Sequence, residues 1–286
     1  MNATDRHTTI GAAIDAAIEP AIDTLLDGFD PIDLDRLDRV AKLRTRKDRK
    51  YVLTADELGA LLESLSGVRD DVRILDIDGC RWFRYESIYF DTERFDSYRL
   101  AAHRRPQRFK ARVRQYVDAD VATAEVKTKN RRGRTHKHRR TIDDHTTCAD
   151  AIRSLAAEIA ESAVFADELT PVLTSRYRRA TLAFPADGVR VTIDAAYRCI
   201  AADGTNTALE ERFIVETKTG GGPSLVDRTL WRAGHRPEKI SKYATGLAAL
   251  RPGLPANRWH PVLREHFAHS PRHTDRATHH PERAVA

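Results

Sequence analysis

At 286 residues the chain has room for one large domain or two small ones, and its 41% hydrophobic content excludes wholesale disorder. Its net charge of +6 conceals a local excess: from Arg104 to Arg140 there are fourteen Lys and Arg against three acidic residues, which points to phosphate, nucleic acid or anionic lipid as a partner. Cys80, Cys148 and Cys199 are odd in number and far apart, which excludes a disulfide framework or a cysteine zinc site.

The N-terminal stretch MNATDRHTTIGAAIDAAIEP carries Asp5, Asp15 and Glu19 and no long apolar run, so it does not read as a signal peptide. No segment approaches the ~20 apolar residues of a membrane span. The expectation is a soluble cytoplasmic protein. Residues 9–43 read as one or two amphipathic helices broken near Pro31, with Ile14, Ile18, Ile22, Leu25 and Leu26 on one stripe. A strand is expected at Tyr51 to Leu53. The segment TADELGALLESL follows, with a capping box at Thr54 and Glu57 and a buried stripe of Leu58, Leu61, Leu62 and Leu65. From Arg84 to Lys218 the chain reads mostly as strands: RYESIYFDT, FKARVRQYV, VATAEVKTK, GRTHKHRRTI, VLTSRYRRATLAF, GVRVTIDAAYR and ALEERFIVETKT. One helix interrupts them at Cys148 to Ser162, and helical patterns return at Ser224 to Ala233 and Ser241 to Leu250. GGGPS at Gly220 to Ser224 lacks the Lys-Ser/Thr ending of a P-loop. After Trp259 the composition reads as a disordered, His- and Arg-rich tail over 260–286. It holds half of the twelve histidines, and without a fixed scaffold they do not read as a metal site.

At least seven strands in neighbouring order predict an antiparallel sheet or barrel in an α+β chain. Alternation then raises a question of direction. In FKARVRQYV, Lys110, Arg112 and Arg114 share one face and Ala111 and Val113 the other; in AEVKTKN, Glu125, Lys127 and Lys129 oppose Ala124 and Val126. VRVTID sets Arg190, Thr192 and Asp194 against Val189, Val191 and Ile193. A solvated face usually mixes charge signs, whereas these faces are dominated by cations. If helices cover the apolar faces, the charged faces line a lumen. A lumen of unpaired cations is costly unless a polyanion fills it. A basic nucleic-acid surface is disfavoured, because it usually interleaves aromatic residues, and this stretch offers only Phe109 and Tyr116.

The segments RTRKDRKYVL, ESIYFDT, FKARVRQY, EVKTK, SRYRRA, VRVTID, ETK and KISKY, in that order, resemble the VTC domain, the polyphosphate-polymerase branch of the triphosphate tunnel metalloenzyme superfamily. The resemblance runs over residues 44–250, leaving an N-terminal helical segment of residues 1–43. It implies an eight-stranded antiparallel β-tunnel wrapped by helices, which binds ATP and polyphosphate, pyrophosphate or triphosphate. It also implies transfer of the ATP γ-phosphate to a growing chain with Mn²⁺ or Mg²⁺, and a membrane-protein partner in some settings. On the matching positions, Lys50, Arg112, Arg114, Lys127 and Arg190 are the implied catalytic cations. Lys137 joins them, with Arg139 competing for that role. Tyr177, Arg179, Lys218, Lys239, Ser241 and Lys242 are the implied substrate-binding residues. Glu216 matches the metal-binding glutamate, with Glu125 and Asp194 as further metal candidates or charge-balancing groups. Hydrolytic relatives open with Glu-x-Glu-x-Lys, whereas this chain has Arg46, Asp48 and Lys50 in that frame. The alternatives are therefore a triphosphatase of the same superfamily and a non-catalytic polyphosphate-binding domain.

Overall fold

The computed structural model describes residues 20–40, 47–67, 71–143 and 145–267, with the backbone of 273–274. Eight strands form its centre: β2 (Lys47–Leu53), β4 (Phe83–Asp91), β5 (Arg108–Tyr116), β6 (Val121–Lys129), β7 (Thr135–Thr141), β8 (Thr170–Phe184), β9 (Val189–Ala201) and β11 (Phe213–Thr219). They run β2-β11-β9-β8-β4-β5-β6-β7, and every neighbouring pair is antiparallel. Short strands β1 (Asp30–Ile32), β3 (Arg73–Leu75), β10 (Thr205–Ala208) and β12 (His273–Thr274) add to the periphery.

Alternation decides which face each strand buries. In β5, Phe109, Ala111 and Val113 are buried; with Ala124 and Val126 of β6 they pack under Ile152 and Leu155 of α5 (Cys148–Ala157). A second apolar layer joins β2, β8, β9 and β11 to α1 (Pro20–Asp27), α3 (Ala55–Ser66) and α6 (Leu225–Arg232). The capping box of Thr54 and Glu57 starts α3 as its sequence predicts, and Leu58, Leu61, Leu62 and Leu65 are its buried stripe. A third layer collects α4 (Asp96–Ala102), α7 (Lys242–Leu250) and α8 (His260–His266). The apolar faces are thus turned outward to helices, which leaves the charged faces looking inward at one another.

The sheet differs from the expected closed barrel. It is a mixed α+β arrangement with an eight-strand antiparallel sheet whose ends, β2 and β7, are not hydrogen-bonded to each other. The free edge of β2 is occupied by another segment: the Glu238 N–H donates to the Lys50 carbonyl at 2.7 Å, and the Val52 N–H donates to Glu238 Oε1 at 3.3 Å. Groups that barrel closure would have taken are already satisfied. β7, at the other end, is exposed along its whole length.

Other elements also depart from the sequence expectation. Pro31 sits inside β1, between α1 and α2 (Leu34–Val40), and does not merely break a helix. The strand expected at Tyr51 starts at Lys47. ALEERFIVETKT is not one strand: β10 ends at Ala208, Glu211 takes a left-handed φ of 51°, and β11 begins at Phe213. His260–His266 is a helix, because Val262 and the flanking Trp259 and Phe267 bury themselves in the third apolar layer. His273 pairs its backbone with Asn206. Composition was blind to apolar residues spaced among polar ones. Ile14, Ile18, Arg46, His269, His279 and His280 lie outside the described residues. Among the described residues no helix is long and apolar enough to cross a membrane.

Candidate functional site

A cavity of about 200 Å³ lies inside the curved sheet and is lined from all eight of its central strands and from the start of α7. β5 sends in Lys110, Arg112 and Arg114, β6 Glu125 and Lys127, and β7 Lys137. Facing them are Asp48 and Lys50 of β2, Tyr177 and Arg179 of β8, Asp194 of β9, Ile214, Glu216 and Lys218 of β11, and Ser241 and Lys242. Tyr89 of β4 lies between the two groups. Nine cationic side chains meet four acidic ones, so the cavity cannot neutralise itself.

The register explains the excess. Lys110 lies directly opposite Lys127, and Lys127 directly opposite Lys137, giving a row of three lysines across three strands. Like charges directly opposite one another in a sheet are destabilising. Lys110 has its ammonium 4.6 Å from the centre of the Tyr89 ring, and burial, followed by Arg112 and Lys50, drives its pKa well below the usual lysine range. Such a row is what an anion would stabilise.

The acidic groups are divided among the cations. Arg112 Nε donates to Glu125 Oε2 at 2.6 Å, and Lys137 pairs with the other oxygen of that carboxylate. Burial favours the protonated acid, but Arg112, Arg114 and Lys137 outweigh it and hold Glu125 down to about 2. Arg179 grips Asp194 with two bonds, 2.5 and 2.8 Å, and Lys242 closes on the same carboxylate. Against its burial these cations hold Asp194 well below the carboxylate range. Glu216 is held differently, by two lysines: Lys218 at 3.0 Å and Lys50 at 3.9 Å. Burial lowers Lys218 to about 8 although Glu216 pulls the other way, and Lys137 reaches about 8 on the same balance with Glu125.

Helix α7 is aimed by its own cap and by a close contact. Ser241 Oγ accepts from the Ala244 N–H, Tyr197 Oη donates to the Lys242 carbonyl at 2.6 Å, and a Cβ on Gly246 would come within 2.6 Å of that same hydroxyl. Lys242 is thereby set with its Nζ 4.5 Å from the centre of the Tyr177 ring. Across the cavity, Tyr177 Oη and Arg114 Nε are buried without a hydrogen-bond partner among the described residues. GGGPS, which is not a phosphate loop, serves structure: Ser224 caps α6, buried Asp227 accepts from Ser224, Tyr51 and Thr217, and Arg49 donates to the carbonyls of Gly221 and Gly222.

Most of the residues singled out by sequence come together here, and two do not. Lys239 lines a neighbouring cavity of about 390 Å³ with Arg108, Lys129 and Arg258, which shares Lys50, Lys110 and Lys127 with the central one. Arg190 lines another of about 460 Å³ that shares Arg114, Lys137, Arg179 and Lys218. There its guanidinium donates to Asp38 Oδ1 at 2.8 Å and to the Leu37 carbonyl. Both cations stand at ends of a chain of cavities. Lys137 lies in the centre and Arg139 toward the Arg190 end, which separates the two candidates for one role. Lys110 and Asp48 line the cavity without having been singled out; for Lys110 the signal was present, since it alternates with Arg112 and Arg114.

The donor set limits what a metal could use. Glu125 and Asp194, considered as metal ligands, are engaged by guanidinium groups and act as counter-ions. No three acidic or histidine ligand atoms converge in this cavity among the described residues. Glu216, beside its two lysines, and Asp48 on the adjacent strand remain as hard oxygen donors, which suits an ion that takes most of its ligands from phosphate and water.

The VTC domain family matches residues 45–251 of the chain. No curated protein matches it. Among solved structures, HpAC1 from Hippeastrum, an adenylyl cyclase candidate with a dominant triphosphatase activity, is 15% identical with a TM-score of 0.41, covering 74% of this chain and 98% of its own. An adenylate cyclase candidate from Vibrio parahaemolyticus is 12% identical with a TM-score of 0.40, covering 72% and 99%. PH1819 from Pyrococcus horikoshii OT3 is 13% identical with a TM-score of 0.39, covering 70% and 94%.

Proposed function

Since this chain belongs to the VTC domain family, a branch of the triphosphate tunnel enzymes, we propose that it transfers the γ-phosphoryl group of ATP to the end of a polyphosphate chain within the basic cavity. The observation that carries this reading is the row Lys110, Lys127 and Lys137, set in cross-strand register with Arg112 and Arg114 beside it. Glu125 is the one carboxylate that these three strands bring to five cations, so an excess of positive charge remains that a chain of phosphates balances.

A terminal phosphate oxyanion of the acceptor attacks the γ-phosphorus, the bond from that phosphorus to the bridging oxygen of ADP breaks, and ADP leaves with the electron pair. No activated side-chain nucleophile is needed. Arg112 and Arg114 clamp phosphate oxygens in pairs, and Lys50, Lys110, Lys127 and Lys137 add point charge along the chain. Tyr177 Oη and Arg114 Nε acquire their missing partners from phosphate oxygens. Arg179 and Lys242 are held in place by Asp194, and Lys218 by Glu216. Lys239 and Arg190 meet the chain where it leaves the cavity. Glu216 is the side chain that would hold Mg²⁺ or Mn²⁺, which when bound adds positive charge to the phosphate oxygens.

A second reading, hydrolysis of a triphosphate, is favoured by one feature: Asp48 and Glu216 both line the cavity on adjacent strands. The two separate on products. Purified protein is incubated with ATP and Mn²⁺ and the products are run on a gel stained for polyphosphate. A ladder that vanishes in Arg114→Ala and Glu216→Ala is the expected result. Orthophosphate without a ladder assigns the chain to the triphosphatases, and binding of polyphosphate with no turnover to the non-catalytic binders.

A further inference from the structure

Outside the basic cavity, on the far side of β2, three side chains from two segments converge. Glu238, Glu265 and His266 each bring a ligand atom to within 4.8 Å of the others. His266 Nε2 lies 2.9 Å from Glu238 Oε2, and the imidazole is only 5% exposed. Its Nδ1 is buried and has no hydrogen-bond partner among the described residues. A neutral imidazole has one N–H and one lone pair. If Nε2–H donates to Glu238, the lone pair on Nδ1 is buried without a donor; the reverse tautomer sets a lone pair against a carboxylate oxygen. A proton on both nitrogens makes an imidazolium paired with Glu238; an ion held at Nε2 would take the place of the proton between the ring and the two carboxylates, leaving Nδ1 as the N–H.

We propose that Glu238, Glu265 and His266 form a zinc site that fastens α8 to the free edge of β2. One imidazole nitrogen with two carboxylate oxygens is a donor set for a borderline-soft divalent ion, whereas a site of oxygens alone suits Mg²⁺ or Ca²⁺. Tetrahedral ligand atoms around zinc stand about 3.3 Å apart at ordinary bond lengths, so the 2.9 Å between His266 and Glu238 needs only a small spread to admit the ion. Glu265 is exposed, and the cluster opens on a cavity of about 340 Å³, which leaves a coordination position for water. Glu57 and His235, 3.8 Å apart, line the same cavity; Arg212 and Arg236 line it too, the latter donating to the Trp231 and His235 carbonyls.

The position gives the ion a task. The Glu238 backbone N–H donates to the Lys50 carbonyl, and its side chain accepts the Val52 N–H, so Glu238 already binds the edge that barrel closure leaves open. The next residues, Lys239 to Lys242, run into the basic cavity. Zinc at Glu238 ties that segment to α8 and fixes the sheet at its open end. This site is separate from Glu216 and does not depend on the phosphoryl-transfer reading.

The test uses the full chain with the other C-terminal histidines removed by H269N, H273N, H279N and H280N, so that they cannot bind zinc adventitiously. The protein is loaded with Zn²⁺, dialysed, and its metal content and melting temperature are measured. One retained Zn²⁺ per chain and a melting temperature raised by the ion are expected, with the same zinc content in Glu216→Ala. His266→Ala should lose the ion, and Glu265→Gln should weaken its binding by at least the ~10–100-fold that loss of an outer-shell partner costs. Glu265 is exposed, so Glu265→Gln keeps the test valid if His266→Ala does not fold. No retained zinc, or zinc held equally by the parent and Glu265→Gln, overturns the proposal.

Discussion

The two walls of the basic cavity carry different charge balances. Strands β5, β6 and β7 bring in five cations and one carboxylate, Glu125; β2, β8, β9, β11 and the start of α7 bring in four cations and three carboxylates, Asp48, Asp194 and Glu216. The second wall nearly neutralises itself, through the Arg179–Asp194–Lys242 cluster and the Glu216 lysines. The first cannot, and its three facing lysines raise the energy of the protein without ligand. In our account the first wall grips phosphate, and the second is a rigid support that also offers Glu216 to a metal ion.

Breaking each wall should therefore fail in opposite ways. The largest effect is expected from Asp194→Ala, which strands Arg179 and Lys242 as buried, uncompensated cations. Loss of about 3–5 kcal/mol of folding stability is expected, read by chemical denaturation. Arg114→Ala, on the other wall, should leave stability unchanged or raise it, because it relieves a cationic cluster, while the transfer rate falls by about 10²–10³-fold. If both variants simply unfold, the contrast between the walls is wrong. Glu216→Ala sharpens the second wall's role: the Mn²⁺ concentration that supports half-maximal rate should rise by about tenfold or more, while tripolyphosphate still binds.

The smallest effect is one of pH. Lys137 on the first wall and Lys218 on the second both sit at about 8, below the ordinary lysine value because of burial. A bound phosphate favours the charged ammonium, so above this value binding takes up protons and affinity falls as pH rises. The expected slope is up to about one decade per pH unit for each lysine, measured by calorimetry between pH 7 and 9. Lys137→Gln should remove its share and leave that of Lys218.

The same contrast governs what could be read from the sequence. The first wall is contiguous, two hairpins within Arg108 to Thr141; alternation puts Lys110, Arg112 and Arg114 on one face of their strand and Lys127 on one face of the next, while Lys137 comes with the resemblance, in competition with Arg139. Local composition overcounts it: of the fourteen cations between Arg104 and Arg140, these five line the central cavity, and others, such as Arg140 paired with Glu158, face outward. The second wall is drawn from residues as far apart as Asp48 and Lys242. Its ion pairs depend on long-range register that no local pattern carries, so Asp194 and Glu125 could be narrowed to metal ligands or counter-ions but not assigned. The open edge between β2 and β7 was illegible for the same reason, since it turns on Glu238 binding Lys50 and Val52 across the fold. His266 was hidden by its neighbours, a helix with few apolar residues followed by a polar, His-rich run.

Titration calorimetry with tripolyphosphate, on the unmodified chain and on the Arg112→Ala/Arg114→Ala double variant, tests the phosphate grip most directly. The account predicts one saturable site per chain, weakened by about 10–100-fold in the variant while its melting temperature holds. Equal affinity in the two proteins, or several weak sites that salt abolishes together, contradicts it.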